Sequence, residues 1–223
     1  MKTFLVIGIG RFGRHLCKKL YDLGYEVMAV DSREECINSV LDYTTDSMIG
    51  DSTNETFIRS LGVDSFDTCF VAIGDDFQNS LETTSLLKEA GAKVVVARAS
   101  REVHRKFLLR NGADKVVYPE LEMAEWSAIR YSSEHILDYI PLPGANSIFE
   151  VALPGTWIGK SISELHIRKQ YNLNIVGIKK DGHLDMIIDP ELRLEKGMSL
   201  LVIGKDKDIQ NCFHISTDRF RSN

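Results

Sequence analysis

The chain has 223 residues, 26% of them charged, and a net charge of -5 at pH 7. That length holds one large domain or a domain plus a small one, and it buries a core without help from metals or disulfides. The acidic balance excludes a general attraction to nucleic acid, where a basic footprint is expected.

Phe4 to Ile7 is a short continuous apolar run, the pattern of a strand buried on both faces. The turn Gly8-Ile9-Gly10-Arg11-Phe12-Gly13 follows, then a helical segment with Leu16, Leu20 and Leu23 at helix spacing, closed by Gly24. Val27 to Val30 is a second strand, ending at Asp31. Ser32 is then a candidate helix cap, with Glu34 and Glu35 suited to a first turn. The alternation continues with a strand at Ser47 to Ile49 and a helix at Glu55 to Leu61. After these come a strand at Thr68 to Ile73, a helix at Ser80 to Glu89, a strand at Val94 to Ala97, a helix at Glu102 to Asn111 and a strand at Lys115 to Tyr118. Six strands alternating with helices predict an α/β fold: an open, Rossmann-like parallel sheet with helices on both faces.

Glu120 to Ser133 is a longer helical segment, read as a crossover helix or a dimerisation arm. From about Asp138 the pattern changes to strands at Ile148 to Leu153, Asn174 to Lys179, Leu184 to Ile188 and Leu200 to Ile203. A short helix begins at Ser163-Glu164-Leu165, and Gly204-Lys205-Asp206 reads as a turn into a final helix. The expected domains are a nucleotide-binding domain over 1–120, a crossover helix or linker over 121–137, a small α+β domain over 138–218, to which the family resemblance given below assigns ligand binding, and a polar tail over 219–223.

Cys17, Cys36, Cys69 and Cys212 show no CxxC or zinc spacing, so they read as buried or inert thiols of a reduced, cytosolic protein. The N-terminus lacks a signal-peptide pattern. No stretch approaches the ~18 apolar residues of a membrane span, so a membrane role is expected only through a partner.

Each glycine of the first turn has its own task. Gly8 permits the tight turn, Gly10 lets a phosphate approach the backbone, and Gly13 lets the helix pack on the strand. The helix start offers free N–H groups and a positive dipole end. Asp31 stands 18 residues beyond Gly13, close to the ~20 expected of an acid that holds ribose hydroxyls. Arg11, inside the loop, is placed to reach a terminal phosphate. Asp51, Ser52 and Thr53 follow the third strand, Ile73, Gly74 and Asp75 the fourth, and Arg98 the fifth. All fall at the edge where open α/β sheets bind ligands. Asp51 and Asp75 equally suit turn formation or capping. His15, His104, His135, His166, His183 and His214 are scattered, and no G-x-S-x-G, P-loop lysine or HExxH occurs. The second unit looks too small to enclose a hydride-transfer site, so the reading is of a non-enzyme.

The stretches FLVIGIGRFG, EVMAVDS, MIGDST, CFVAIGDD and NGADKVVYPE, followed by GKSISELHIRKQYNLNIVGIKKDG and LEKGMSLLVIG, carry a resemblance over nearly the whole length. In them the chain resembles the RCK-domain proteins (regulators of K+ conductance), in particular the cytosolic regulatory subunits of Trk/Ktr-type potassium uptake systems. The resemblance implies dimers assembled into an octameric ring beneath a membrane-embedded potassium channel subunit on another chain, at the inner face of the plasma membrane. Exchange of ATP against ADP at the Rossmann edge would gate that pore; related members bind NAD or NADH instead. It implies that Arg11 reaches the γ-phosphate, and that Glu120 places a divalent cation or Na+ beside the phosphates at the dimer interface. Arg168, Asn174, Ile175 and Pro190 would fall near a cleft that binds cyclic di-AMP in some members. Met198 stands where many members carry an acid. A small NAD(P)-dependent oxidoreductase, an NAD(H)-sensing regulator, and a sensor acting on a partner such as DNA remain the competing readings.

Overall fold

The computed structural model describes residues 1–213; His214 and the expected tail over 219–223 lie outside the described residues. Two units are separated within one helix, after Glu122. The first contains β1 (Thr3–Ile7), α1 (Arg11–Asp22), β2 (Glu26–Asp31), α2 (Glu34–Asn38), β3 (Asp46–Ile49), α3 (Glu55–Ser60) and β4 (Thr68–Val71). It continues with α4 (Phe77–Glu89), β5 (Val95–Arg98), α5 (Glu102–Arg110), β6 (Lys115–Val117) and the start of α6 (Pro119–Arg130).

The six strands form one parallel sheet in the order β3-β2-β1-β4-β5-β6. Side chains alternate between two covered faces, so the central strands β1, β2, β4 and β5 are largely apolar, whereas the edge strands β3 and β6 have no buried residue. On β1, Leu5 and Ile7 enter one core with Val30, Ile58, Leu87 and Leu108. Phe4 and Val6 enter the opposite core with Cys17, Leu20, Val27 and Ile37. Each fully buried aliphatic side chain contributes about 2 kcal/mol. The strand order reverses between β1 and β4, and that reversal opens a crevice at their C-terminal ends.

Two local expectations change. Ser32 does not cap α2, because Arg33 holds the N-cap position. The Asp31 carboxylate takes the Arg33 N–H at 2.9 Å, so the strand-end acid shapes this turn. Helix α4 starts three residues earlier than expected, since Asp76 caps it by accepting the Asn79 N–H at 3.0 Å.

The second unit contains β7 (Ile136–Leu142), β8 (Asn146–Ala152), α7 (Ile162–Leu165), α8 (Ile167–Tyr171), β9 (Asn174–Lys180), β10 (His183–Asp185), β11 (Ser199–Lys205) and α9 (Asp206–Phe213). Its sheet is antiparallel, in the order β10-β9-β11-β8-β7. Phe149, Val151, Leu200 and Val202 pack with Trp157, Ile167, Ile209 and Phe213. Ser161 and Glu164 form a reciprocal capping box on α7.

Strand β7 was not expected, because Pro141 interrupts its apolar pattern; at a sheet edge a missing N–H costs little. Strand β10 stops at Asp185, short of the expected Ile188, where the Asp185 carboxylate takes the Ile187 N–H and turns the chain. Gly204 and Lys205 are not a turn but pair with Ser147 and Asn146. A Cβ at Gly204 would overlap Leu173, so the glycine lets the strand pass.

Candidate functional site

The crevice at the ends of β1 to β5 is a cavity of about 280 Å³. Its floor is the glycine loop. Gly8 has φ +93°, and its amide donates to the Val30 carbonyl at 2.8 Å. A Cβ at Gly13 would overlap the Gly8 carbonyl oxygen, so α1 can lie against β1 only with glycine there. A Cβ at Gly10 would meet nothing within 4 Å. Gly10 lines the cavity and is the N-cap of α1, with no side-chain cap and no acid in the first turn. The orphan N–H groups and dipole end of α1 therefore remain available to an anion.

Arg11 is the first residue of α1 rather than a loop residue, and it lines the cavity. Asp31 is buried at the end of β2. One oxygen accepts the Ile9 N–H at 2.7 Å and the other the Arg33 N–H at 2.9 Å. A carboxylate offers about four lone-pair sites, so Asp31 keeps capacity for ribose hydroxyls. Ser32 lines the same end.

Asp51 lines the next part of the wall, and its Oδ1 accepts the Thr53 N–H at 2.9 Å and hydroxyl at 2.7 Å. Those two bonds hold the Asp51 carboxyl below its ordinary pKa. Thr53 braces Asp51 and is not itself in the lining. Ser52 lines the cavity and is tied to Thr83 of α4, hydroxyl to hydroxyl at 2.8 Å.

Ile73, Gly74 and Asp75 line the far wall. Arg98 lies against Gly74, where any Cβ would overlap its guanidinium. Its Cζ is 6.0 Å from the centre of the Phe12 ring, and neither Phe12 nor Gly13 is part of the lining. Arg98 Nη2 donates to Glu120, in the first turn of α6. Burial pushes the Glu120 carboxyl up, but the Arg98 hydrogen bond, a backbone hydrogen bond and the charges of Arg98 and Arg11 bring it below its ordinary value.

Six further residues line the cavity beyond those the sequence pointed to: Ile7, Arg33, Gly50, Ala72, Asp76 and Asn79. Asp76 and Asn79 had a signal, the spacing of an N-cap acid whose carboxylate accepts the backbone N–H three residues on. Arg33 had none beyond its position two residues after Asp31.

His104 is fully buried, with Nε2 3.2 Å from the Ser80 hydroxyl and Nδ1 3.4 Å from the Ser100 N–H. Burial, with the charges of Arg101 and Arg98, holds its pKa down, so it is a neutral link between α4 and α5. His15, His135, His166 and His183 are exposed. Among the described residues no group of three or more His, Cys, Asp or Glu could hold a metal ion. A cation at Glu120 would therefore draw its other ligands from phosphate, solvent or another chain.

The second unit has its own cavity, of about 420 Å³, and Arg168, Asn174, Ile175 and Pro190 all line it. Exposed Arg168 and Lys169 give it positive charge, while Ile162, Ile188 and Leu173 give it apolar wall. Met198 is buried, and its sulfur accepts the Glu195 N–H at 3.4 Å.

Two family models match the chain: the TrkA-N domain over residues 4–119 and the TrkA-C domain over residues 147–214. The chain is 38% identical over 210 residues to the Ktr system potassium uptake protein C of Bacillus subtilis (strain 168), covering 93% of this chain and 94% of that one. It is 38% identical over 209 residues to the Ktr system potassium uptake protein A of the same organism, covering 94% of each. Among solved structures it resembles the GsuK channel in fold, with a TM-score of 0.71 at 20% identity; the match covers 96% of this chain and 39% of that channel chain. No helix among the described residues is long and apolar enough to cross a membrane.

Proposed function

The chain belongs to the TrkA-N/TrkA-C family of potassium uptake proteins, and from that premise we propose that it is a regulatory subunit which gates a membrane-embedded potassium channel subunit on a separate chain according to the ATP or ADP it holds. The observation that supports this most is one cavity lined by the uncapped start of α1, Arg11, Arg98 and the buried Asp31. Polyphosphate suits the helix end and the arginines, and a ribose suits Asp31. In this reading a bound nucleotide supplies charge and hydrogen-bond acceptors, and is held rather than turned over.

Gating then requires that ATP and ADP differ in their preference between two conformations of the assembly. A tenfold difference corresponds to about 1.4 kcal/mol. Pairing of the third phosphate with Arg11, and with a divalent cation or Na+ at Glu120, is a sufficient source. Self-association to dimers and an octameric ring would convert the site's state into strain on the channel partner at the inner face of the membrane. The cavity around Arg168 and Asn174 would take cyclic di-AMP, whose phosphates match the basic rim and whose purines match the apolar wall.

Calorimetry of the purified chain against ATP, ADP, NADH and cyclic di-AMP tests this reading. Binding of ATP and ADP with different affinities supports it. Tight NADH binding with no ATP binding would replace it with a redox-sensing regulator.

A further inference from the structure

Arg98 stands between two anionic claims. Its guanidinium lines the nucleotide cavity beside Gly74, and its Nη2 is donated to Glu120 on α6. The arginine side chain is only 14% exposed, whereas that of Glu120 is 56% exposed. The fixed member of the pair is thus the arginine, and the carboxylate is the member that can leave. Arg98 Nε is moreover buried without a hydrogen-bond partner among the described residues. Buried donors are ordinarily satisfied, so the fork is incomplete with Glu120 alone. A terminal phosphate carries more charge than a carboxylate and offers three acceptor oxygens, and guanidinium binds it in paired fashion.

We propose that Arg98 is a positioning residue that exchanges Glu120 for a phosphate of the bound nucleotide, so that filling the cavity releases the first turn of α6. This rests on reading the cavity as a nucleoside-polyphosphate site. It adds a route from that site to α6: the arginine is shared, and ligand and helix compete for it. The freed Glu120 carboxylate then becomes available to a cation or to another chain.

The test is a double-mutant cycle on the full chain, titrated with ATP in cation-free buffer containing EDTA. Glu120→Gln should tighten ATP about three- to tenfold, because Arg98 is released beforehand. In the Arg98→Gln background the same substitution should change nothing. Equal tightening in both backgrounds is plain relief of charge repulsion and overturns the proposal; so does unchanged or weaker binding by Glu120→Gln. Hydrogen exchange over residues 119–130 gives a readout that a purely structural role would not move. ATP should speed exchange there in the wild type and have no effect in Glu120→Gln, and an ATP-insensitive wild type overturns the proposal. Absence of any ATP or ADP binding by the wild type defeats the nucleotide reading itself, whereas normal binding with an additive cycle defeats only the exchange.

Discussion

Asp31 accepts the Ile9 amide at 2.7 Å, so the acid that ends β2 holds the glycine loop that ends β1. The same carboxylate fixes the start of α2 through Arg33. An acid expected to serve the ligand is therefore also part of the scaffold. Asp31→Ala should cost about 2 kcal/mol of stability, the value of a charge-assisted buried hydrogen bond. It should also weaken nucleotide binding more than tenfold, because both the ribose partner and the loop position are lost. Thermal melts and calorimetry on the same sample check this, and a variant with native melting and native affinity would contradict it.

Gly10 and Gly13 separate binding from folding. A methyl at Gly13 overlaps the Gly8 carbonyl, while one at Gly10 meets open space in the cavity. Gly13→Ala should destabilise the fold by about 1–3 kcal/mol through forced repacking of α1 on β1. Gly10→Ala should melt like the wild type yet lose nucleotide affinity, since its methyl stands at the end of α1 where the phosphate would rest. Equal effects of both substitutions on the melting temperature would show that the loop is tighter around Gly10 than described.

The parallel sheet was legible because each of its central strands is buried on both faces and reads as an apolar run, and because Asp31 falls at the right interval from Gly13. Strand β7 was hidden because Pro141 breaks the pattern, which only an edge position tolerates. The pairing of Arg98 with Glu120 spans 22 residues and two elements. No local pattern encodes it; only the adjacency of β5 and β6 in the sheet brings the two together. Arg33 was missed for a related reason: its backbone is held by Asp31, and that bond exists only once the turn is folded.

Arg11 opens α1 and lines the cavity as a cation beside the uncapped helix end. Its contribution should appear in the difference between nucleotides rather than in overall affinity. Arg11→Ala should bring ATP and ADP affinities within about threefold of each other while leaving ADP nearly unaffected. If the variant discriminates as well as the wild type, the third phosphate is read elsewhere.

The two cavities lie in different units, so their ligands should be separable by mutation. Arg168→Ala removes a cation from the second cavity without touching the first. It should weaken cyclic di-AMP binding at least tenfold and leave ATP affinity unchanged. Loss of both affinities together would point to unfolding rather than to a lost contact, and circular dichroism distinguishes the two.

Burial pushes the thiols of Cys17, Cys69 and Cys212 up to about 12, against an ordinary value of 9.0. Cys36 is only partly buried, and burial followed by the nearby Asp31 charge raises it as well. In the native protein a thiol reagent at pH 8 should therefore modify Cys36 alone and slowly, with all four cysteines reacting in denaturant. The same shifts set a direction for alkaline stability. A thiol whose folded pKa lies above its unfolded value keeps its proton in the native state while the unfolded chain loses it. Stability is intact below about pH 9 and falls as pH rises toward 12, by about 1.4 kcal/mol per pH unit for each thiol. Cys17→Ala should make that fall shallower in urea melts between pH 9 and 11, though the lost volume lowers stability at pH 7. A variant whose stability declines as steeply as the wild type would mean that the Cys17 thiol ionises in the folded state as readily as in the unfolded chain.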